Sequence, residues 1–338
     1  MKAIILDKPE QLRLLQMEEP QASGPDEALV RVRQVGVCGT DFHAFRGEQP
    51  FFTYPRILGH ELGVEIAAVE PQEHGLTAGL HCAVEPYFNC GYCPACRRGK
   101  PNCCVNLKVF GVHSDGGMRE LAIVPVSKLH PSRTLSFEQL ALVEPLSIGA
   151  HAVSRAQLAD GENVLVVGAG PIGLAATQFA LLAGAKVMVM DISERRLAFC
   201  QQLWPQVVCV DGRGDPLAAL QHVVADDLPT AVFDATGNPQ SMMSAFTYVA
   251  YGGRLIFVGL VQGDVTFHDP DFHRRELTLL SSRNSTSADF RRIINYLEAG
   301  QIDLTPWITN QASADTMIAA FPRWFERDSG VIKALVAF

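Results

Sequence analysis

The sequence predicts an α/β protein in two parts, a β-rich part and a doubly wound parallel sheet, and three observations carry that reading. From Asn163 onward, six short aliphatic or β-branched runs (164–167, 187–190, 207–210, 231–233, 255–258 and 277–280) alternate with helix-length stretches. That is the pattern of parallel strands joined by helical crossovers. The segment 28–35 instead alternates Val30 and Val32 with Arg31 and Arg33, the period of two of a half-exposed antiparallel strand. The length of 338 residues suits two domains of roughly 150 residues each, with a core that needs no disulfide staples. The 55 residues after Arg283 are too few for a third domain and are expected to return to the first. The expected division is 1–147 with 285–338 for the β-rich domain and 148–284 for the parallel-sheet domain.

Composition narrows the function. Charged residues at 19% and hydrophobic residues at 48% give a globular balance, not a disordered one. Lys plus Arg total 28 against 36 Asp plus Glu, a net charge of -8 with no basic tail, so the counterion-release drive of nucleic-acid binding is missing. A small-molecule partner is expected. The N-terminus MKAIILDKPE has a run of four apolar residues before Asp7, short of the roughly 7 to 15 of a secretory signal core. Residues 164–185 carry no charge for 22 positions and pass a length test for a membrane span. Gly168, Gly170, Pro171 and Gly173 within them read instead as strand, tight turn and helix. A cytoplasmic protein without membrane contact is therefore expected.

The stretch Gly168-Ala169-Gly170-Pro171-Ile172-Gly173 follows the strand 164–167 and opens a helix-length segment. The first glycine permits the tight turn, the second lets backbone approach a pyrophosphate, and the third allows close helix packing. Asp191 ends the next strand, eighteen residues after Gly173, where a carboxylate can accept hydrogen bonds from ribose hydroxyls and repel a 2′-phosphate. NAD is thus expected over NADP. The bland alternative is that Asp191 caps a helix starting near Ser193.

Nine cysteines, an odd number, sit at 38, 82, 90, 93, 96, 103, 104, 200 and 209, and clustered cysteines in a large intracellular chain more often hold metal than disulfides. Cys90, Cys93, Cys96 and Cys104 form C-x2-C-x2-C-x7-C in a Gly- and Pro-containing lobe at about 85–108. Four such thiolates can enclose one tetrahedral zinc, a structural site. A redox disulfide, an Fe–S cluster and Cys103 as a rival fourth ligand are the alternatives. A second set is scattered: Cys38-Gly39-Thr40-Asp41-Phe42-His43, Gly59-His60-Glu61, and Val143-Glu144-Pro145. One thiolate, one imidazole and one or two carboxylates suit a zinc that keeps a position open for water or an alcohol. Against this, Cys38 alone could be a small buried apolar residue, and Asp41 or Thr40 could cap a short helix.

With these motifs together (CGTDFH at 38–43, GHE at 59–61, the four-cysteine lobe, EPLS at 144–147 and GAGPIG at 168–173) the whole chain resembles the zinc-dependent medium-chain alcohol dehydrogenase family. Within it, CRRGKPNCC, GVHSDGG and SSRN are similar to the polyol, threonine and sugar-acid branch, in particular to L-galactonate/L-gulonate 5-dehydrogenase-like enzymes. The resemblance implies a GroES-like catalytic domain, a Rossmann domain, NAD, one catalytic and one structural zinc per chain, and a homodimer or homotetramer. It implies Cys38, His60 and Glu61 as catalytic-zinc ligands, with Glu144 as a further ligand or holding the bound water. Thr40 and His43 would relay a proton, and Ile172, Pro171, Asp191, Arg196, Val258, Gly259 and Leu260 would contact the cofactor. Two departures stand out: Val64 occupies the usual glycine position four residues after the ligand His, with Gly63 before it, and Gly79-Leu80-His81-Cys82 replaces the usual G-D-R-V.

The implied reaction is loss of an alcohol proton to Thr40 and His43 with hydride transfer to nicotinamide, because zinc lowers the pKa of a bound alcohol. On a helical surface His43 could equally be a solvated side chain. Phe51, Phe52, Tyr54, Arg283 and Asn284 are candidate substrate contacts. A guanidinium at 283 could grip a carboxylate with paired hydrogen bonds, or instead serve a salt bridge or the cofactor. The expected activity is oxidation of a secondary alcohol of a sugar acid or polyol to a ketone. L-threonine 3-dehydrogenase or sorbitol dehydrogenase activity is the alternative, and a catalytically silent sensor on the same scaffold a remote one.

Overall fold

The computed structural model describes residues 1–21, 24–49, 52–70, 75–225, 227–326 and 329–338. The chain divides into two compact units, Met1–Glu144 with Thr286–Phe338, and Pro145–Ser285. The crossing at Glu144 falls inside a continuous helix, and the return at Ser285 falls just before the N-cap of the helix Ser287–Glu298.

The first unit is organised around β1 (Glu27–Val37), the strand foreseen from the Val/Arg alternation. Val30, Val32 and Val35 are fully buried while Arg31 is exposed. One edge of β1 pairs antiparallel with β2 (Glu61–Val69). Along the other edge its first half pairs with Leu121–Pro125 and its second half with the returning strand Lys333–Ala337. The last segment of the chain thus completes the first sheet. Helix α1 (Gly39–Arg46) follows β1 directly. The core joins Ile4, Leu6, Leu62 and Ile66 to Met317, Phe321 and Trp324. A buried charge cluster fastens the return: Glu85 accepts from Lys128 Nζ at 2.5 Å and from Ser287 Oγ at 2.6 Å, with His130 Nε2 at 3.1 Å. Burial disfavours the Glu85 carboxylate, but these three partners outweigh it and hold the carboxyl below its usual range.

Both departures from the family pattern have a local account. A Cβ on Gly63 would lie 2.0 Å from the carbonyl oxygen of Phe137, so the helix Phe137–Ala141 rests directly on β2 there, while Val64 is a buried core side chain. His81 stacks on Phe137 with ring centroids 4.1 Å apart, and Cys82 is fully buried, its thiol pushed up to about 12 by burial.

In the second unit, α2 (Val143–Ala156) leads into six parallel strands: β3 (Asn163–Val167), β4 (Lys186–Asp191), β5 (Val208–Asp211), β6 (Ala231–Asp234), β7 (Arg254–Phe257) and β8 (Thr278–Ser281). Their order is β5-β4-β3-β6-β7-β8, the doubly wound order in which the strand order reverses at the β3/β6 switch point while all strands stay parallel. All six strands lie where the aliphatic runs placed them. Residues 164–185 resolve into β3, a glycine turn and α3 (Pro171–Leu182). Among the described residues no helix is long and apolar enough to cross a membrane.

The Gly63 contact generates a stability prediction. Gly63→Ala must displace a backbone carbonyl, which costs about 1–3 kcal/mol as overpacking. Gly214→Ala, where nothing lies within 4 Å, should be close to neutral. Thermal unfolding of the two variants checks this, and equal melting points would contradict it.

Candidate active site

The cysteine lobe forms because short turns fold its ligands inward. Cys93 caps the turn Pro94–Arg97, and Cys104 ends the 3-10 turn Pro101–Cys103. The sulfurs of Cys90, Cys93, Cys96 and Cys104 all lie within 4.8 Å of one another. The Cys93–Cys96 and Cys90–Cys104 sulfur pairs are each 3.5 Å apart, close to the edge of about 3.8 Å of a tetrahedron with zinc–sulfur bonds of about 2.3 Å. Backbone N–H groups of Cys90 and Asn106 reach Cys104 Sγ at 3.3 Å. The N–H groups of Cys96 and Val105 hold the Cys93 thiol down to about 6. The donor set therefore fits a closed four-thiolate metal site. Cys103, the rival fourth ligand, is exposed and outside the group.

The second donor set gathers at the junction of β1, α1 and β2. Cys38 is the N-cap of α1: its sulfur accepts the Thr40 N–H at 3.5 Å while Asp41 Oδ2 accepts the Cys38 N–H at 2.9 Å, a reciprocal capping box. His60 precedes β2 and Glu61 starts it, and the ligand atoms of Cys38, His60 and Glu61 fall within 4.8 Å of one another. The sequence named Asp41 only as a candidate cap of a short helix. The structure buries it, with Oδ1 3.7 Å from His60 Nδ1, which has no hydrogen-bond partner. Asp41 thus faces the imidazole at ion-pair distance, the kind of carboxylate neighbour that metal-ligating histidines commonly have.

Two further side chains were not foreseen. Lys333, buried in the returning strand, donates to Glu61 Oε1 at 2.7 Å, to Oε2 at 2.8 Å and to the Val37 carbonyl at 3.2 Å. Tyr87, also buried, donates its hydroxyl to Glu144 Oε1. Glu144 lies outside the three-donor group, and burial pushes its carboxyl up to about 7 against the pull of His60. His60 is held well above its ordinary value: burial opposes its charge, but Cys38, Asp41 and Glu144 outweigh burial. A site where an imidazole must take up a proton to offset its neighbours is one that a divalent cation suits, since the cation replaces that proton. The residues present fit a zinc ion.

In the second unit, the named cofactor residues gather at the carboxyl ends of the strands. Gly168 has φ +98° for the turn. A Cβ on Gly173 would lie 1.7 Å from the Gly168 carbonyl, which is why the third glycine must be bare. Gly170 is the N-cap of α3 and offers that helix no side-chain cap. On its Cβ side only Arg196 Nη1 approaches, at 3.9 Å, leaving room and free N–H groups for a phosphate. Pro171 and Ile172 begin α3, and Val258, Gly259 and Leu260 follow β7, with Leu260 exposed. Asp191 at the end of β4 accepts the Ala169 N–H at 2.7 Å and the Ser193 N–H at 2.8 Å. It therefore braces both the glycine turn and the start of α4 (Glu194–Leu203), whose N-cap is Ser193. These residues fit a dinucleotide.

The remaining candidates are more dispersed. Thr40 and His43 stand one turn apart on α1, and His43 is exposed with Nδ1 3.2 Å from Glu48 Oε2. Phe52 is a core side chain packed edge-on to Tyr54 at 5.0 Å, and the Tyr54 hydroxyl donates to the Ala44 carbonyl of α1. Tyr54 thereby ties its segment to α1. Phe51 lies outside the described residues. Arg283 is exposed, and Asn284 has φ +49° with its buried amide nitrogen without a partner. Ser285 beside it bonds Ser147 at 2.6 Å.

Comparison with known proteins agrees with this geometry. Residues 24–134 match the alcohol dehydrogenase GroES-like domain and residues 171–299 match the zinc-binding dehydrogenase domain. The chain is 39% identical to the L-galactonate-5-dehydrogenase of Escherichia coli over 338 residues, covering 100% of this chain and 99% of the relative. It is 32% identical to the 2-dehydro-3-deoxy-L-galactonate 5-dehydrogenase of Pseudoalteromonas atlantica, with 94% of each chain covered. A crystal structure of an alcohol dehydrogenase (rspB) from Escherichia coli, complexed with NADH, superposes with a TM-score of 0.93 at 30% identity, over 100% of this chain and 99% of that one. This chain belongs to the zinc-dependent medium-chain alcohol dehydrogenase family.

Proposed function

We propose that this protein is an NAD-linked zinc dehydrogenase that oxidises a secondary hydroxyl of a sugar acid or polyol to a ketone. The observation that carries the reading is the pairing of one open donor set, Cys38, His60 and Glu61, with a braced dinucleotide turn at 168–173. Its similarity to sugar-acid dehydrogenases supports the substrate class.

When bound, zinc supplies an electrophile for the substrate oxygen and NAD supplies the hydride acceptor. Cys38, His60 and Glu61 would hold the catalytic ion, with Glu144 as a further donor or hydrogen-bond acceptor beside it. Lys333 fixes Glu61 through both carboxylate oxygens, and Tyr87 fixes one oxygen of Glu144. Thr40 accepts the substrate proton and His43, exposed on the same helix, passes it to solvent. Gly168, Gly170, Gly173 and Asp191 seat the dinucleotide, with Asp191 favouring a free ribose 2′-hydroxyl. The four-cysteine lobe would hold a second, structural zinc. A cytoplasmic setting suits nine cysteines of which none is paired, and a homodimer or homotetramer completes the reading.

Two predictions follow from this assignment of roles. Cys38→Ser should abolish turnover and leave melting temperature and NAD binding near native, whereas Cys96→Ser should lower the melting temperature along with bound zinc, because closed sites contribute folding energy directly. Activity, calorimetry and elemental analysis of both variants check this, and an active metal-free protein would contradict it. On the substrate side, Arg283→Ala should cut kcat/KM for an aldonate such as L-galactonate or L-gulonate by about one to two decades, the equivalent of one lost charge-assisted hydrogen bond. Sorbitol oxidation should change little. Native preference for sorbitol or threonine, or equal losses on acids and neutral polyols, would overturn the sugar-acid assignment and leave the dehydrogenase class intact.

A further inference from the structure

Beside the carboxyl end of β4 stand two arginines, each engaged by acid. Arg196, in the first turn of α4, has Nη1 3.8 Å from Asp191 Oδ2. Arg213 follows β5, whose Asp211 is in register with Asp191, and the Gly212 N–H donates to the Asp191 carbonyl at 3.0 Å. Arg213 therefore emerges one strand over from Asp191, on the same edge of the sheet. Its guanidinium is gripped from two sides. Nε donates to Asp211 Oδ1 at 2.9 Å and Oδ2 at 3.2 Å, and Nη2 donates at 2.6 Å to both Asp211 Oδ2 and Glu194 Oε1. The Arg213 N–H also donates to Asp211 Oδ1 at 2.9 Å. Glu194 opens α4, so the clamp ties the loop after β5 to the helix that carries Arg196.

Asp191 already accepts a backbone N–H on each oxygen and is buried, so removing it disturbs the glycine turn and frees Arg196 alone. Arg213 carries a second positive charge at this end of the sheet, and two carboxylates outnumber it. A guanidinium forms its best anion contacts with its fork presented to paired oxygens, and here that fork is filled by Asp211. We propose that Glu194 and Asp211 are specificity-determining residues for the cofactor: by clamping Arg213 they withhold it from a ribose 2′-phosphate. The inference rests on the dinucleotide reading of residues 168–173 and Asp191, and it assigns to three residues outside the glycine motif a part in choosing NAD.

The clamp lies on the surface, with side-chain exposures of 51% for Arg213, 47% for Asp211 and 77% for Glu194. Exposed pairs contribute little to stability, so its acids can be removed without unfolding the unit. The test is calorimetric titration of the full-length protein with adenosine 5′-monophosphate and adenosine 2′,5′-bisphosphate. Native protein should bind the monophosphate in preference. In Glu194→Ala/Asp211→Asn the ratio of the two affinities should move about tenfold toward the bisphosphate, the effect of about one charge-assisted hydrogen bond. Adding Arg213→Ala should cancel the shift. Glu194→Gln alone, which leaves the Asp211 turn intact, should show part of it. An unchanged ratio in both clamp variants, or a shift that survives Arg213→Ala, would overturn the clamp while native binding of the monophosphate upholds the dinucleotide site. Native protein that binds neither nucleotide would overturn the site and the clamp together.

Discussion

Burying three carboxylates beside a cysteine and a histidine is the constraint on which the first unit depends. Glu61, Glu144 and Asp41 are all nearly inaccessible, and an isolated buried carboxylate is costly enough to give up its charge. Each is compensated in a different way. Glu61 is paired with Lys333 through both oxygens, Glu144 takes the Tyr87 hydroxyl and has its carboxyl lifted, and Asp41 closes the cap of α1 while facing His60. Burial alone would strip the proton from Lys333, but Glu61, Cys38 and Glu144 outweigh it and hold that amine above its ordinary value. The residual negative character is what a divalent cation neutralises.

The fold meets this constraint with elements distant in sequence. Lys333 comes from a strand that the chain forms only after leaving the first unit at Glu144 and re-entering it at Thr286; the strand pairs with the second half of β1, and the Lys333 side chain reaches Glu61. The buried Glu85 cluster grips Ser287 at the start of the helix Ser287–Glu298, immediately after that re-entry. The structure thus fixes the return of the chain before using it to supply a charge to the site. The second unit solves a different problem with bare backbone: Gly168, Gly173 and Asp191 shape a turn whose neighbouring helix end is left uncapped for an anion.

The parts of this arrangement that were legible in the sequence are those whose physics is local. The six strands of the second unit, the glycine turn and the C-x2-C-x2-C-x7-C lobe all declare themselves within a few residues of spacing, and all three stand where expected. The cap that one reading of Asp191 assigned to it is made by Ser193, and Asp191 instead accepts the N–H groups of Ala169 and Ser193. What spacing could not show are contacts made across the chain. Tyr87 meets Glu144 over 57 positions and Lys333 meets Glu61 over 272, and no period links them. Lys333 did leave a trace, since a lysine set among Val331, Ile332, Ala334, Leu335 and Val336 in a strand must find a buried partner. Phe52 and Tyr54 likewise make contacts that spacing does not show, one ring edge-on to the other and the Tyr54 hydroxyl on the Ala44 carbonyl.

The central claim is that two separate donor sets each hold one zinc ion. Anomalous diffraction from crystals of the zinc-loaded protein, recorded on both sides of the zinc absorption edge, tests it most directly. Two peaks per chain are predicted, one against Cys38 and His60 and one at the centre of Cys90, Cys93, Cys96 and Cys104. A single peak, or a peak bound by neither set, would contradict the account.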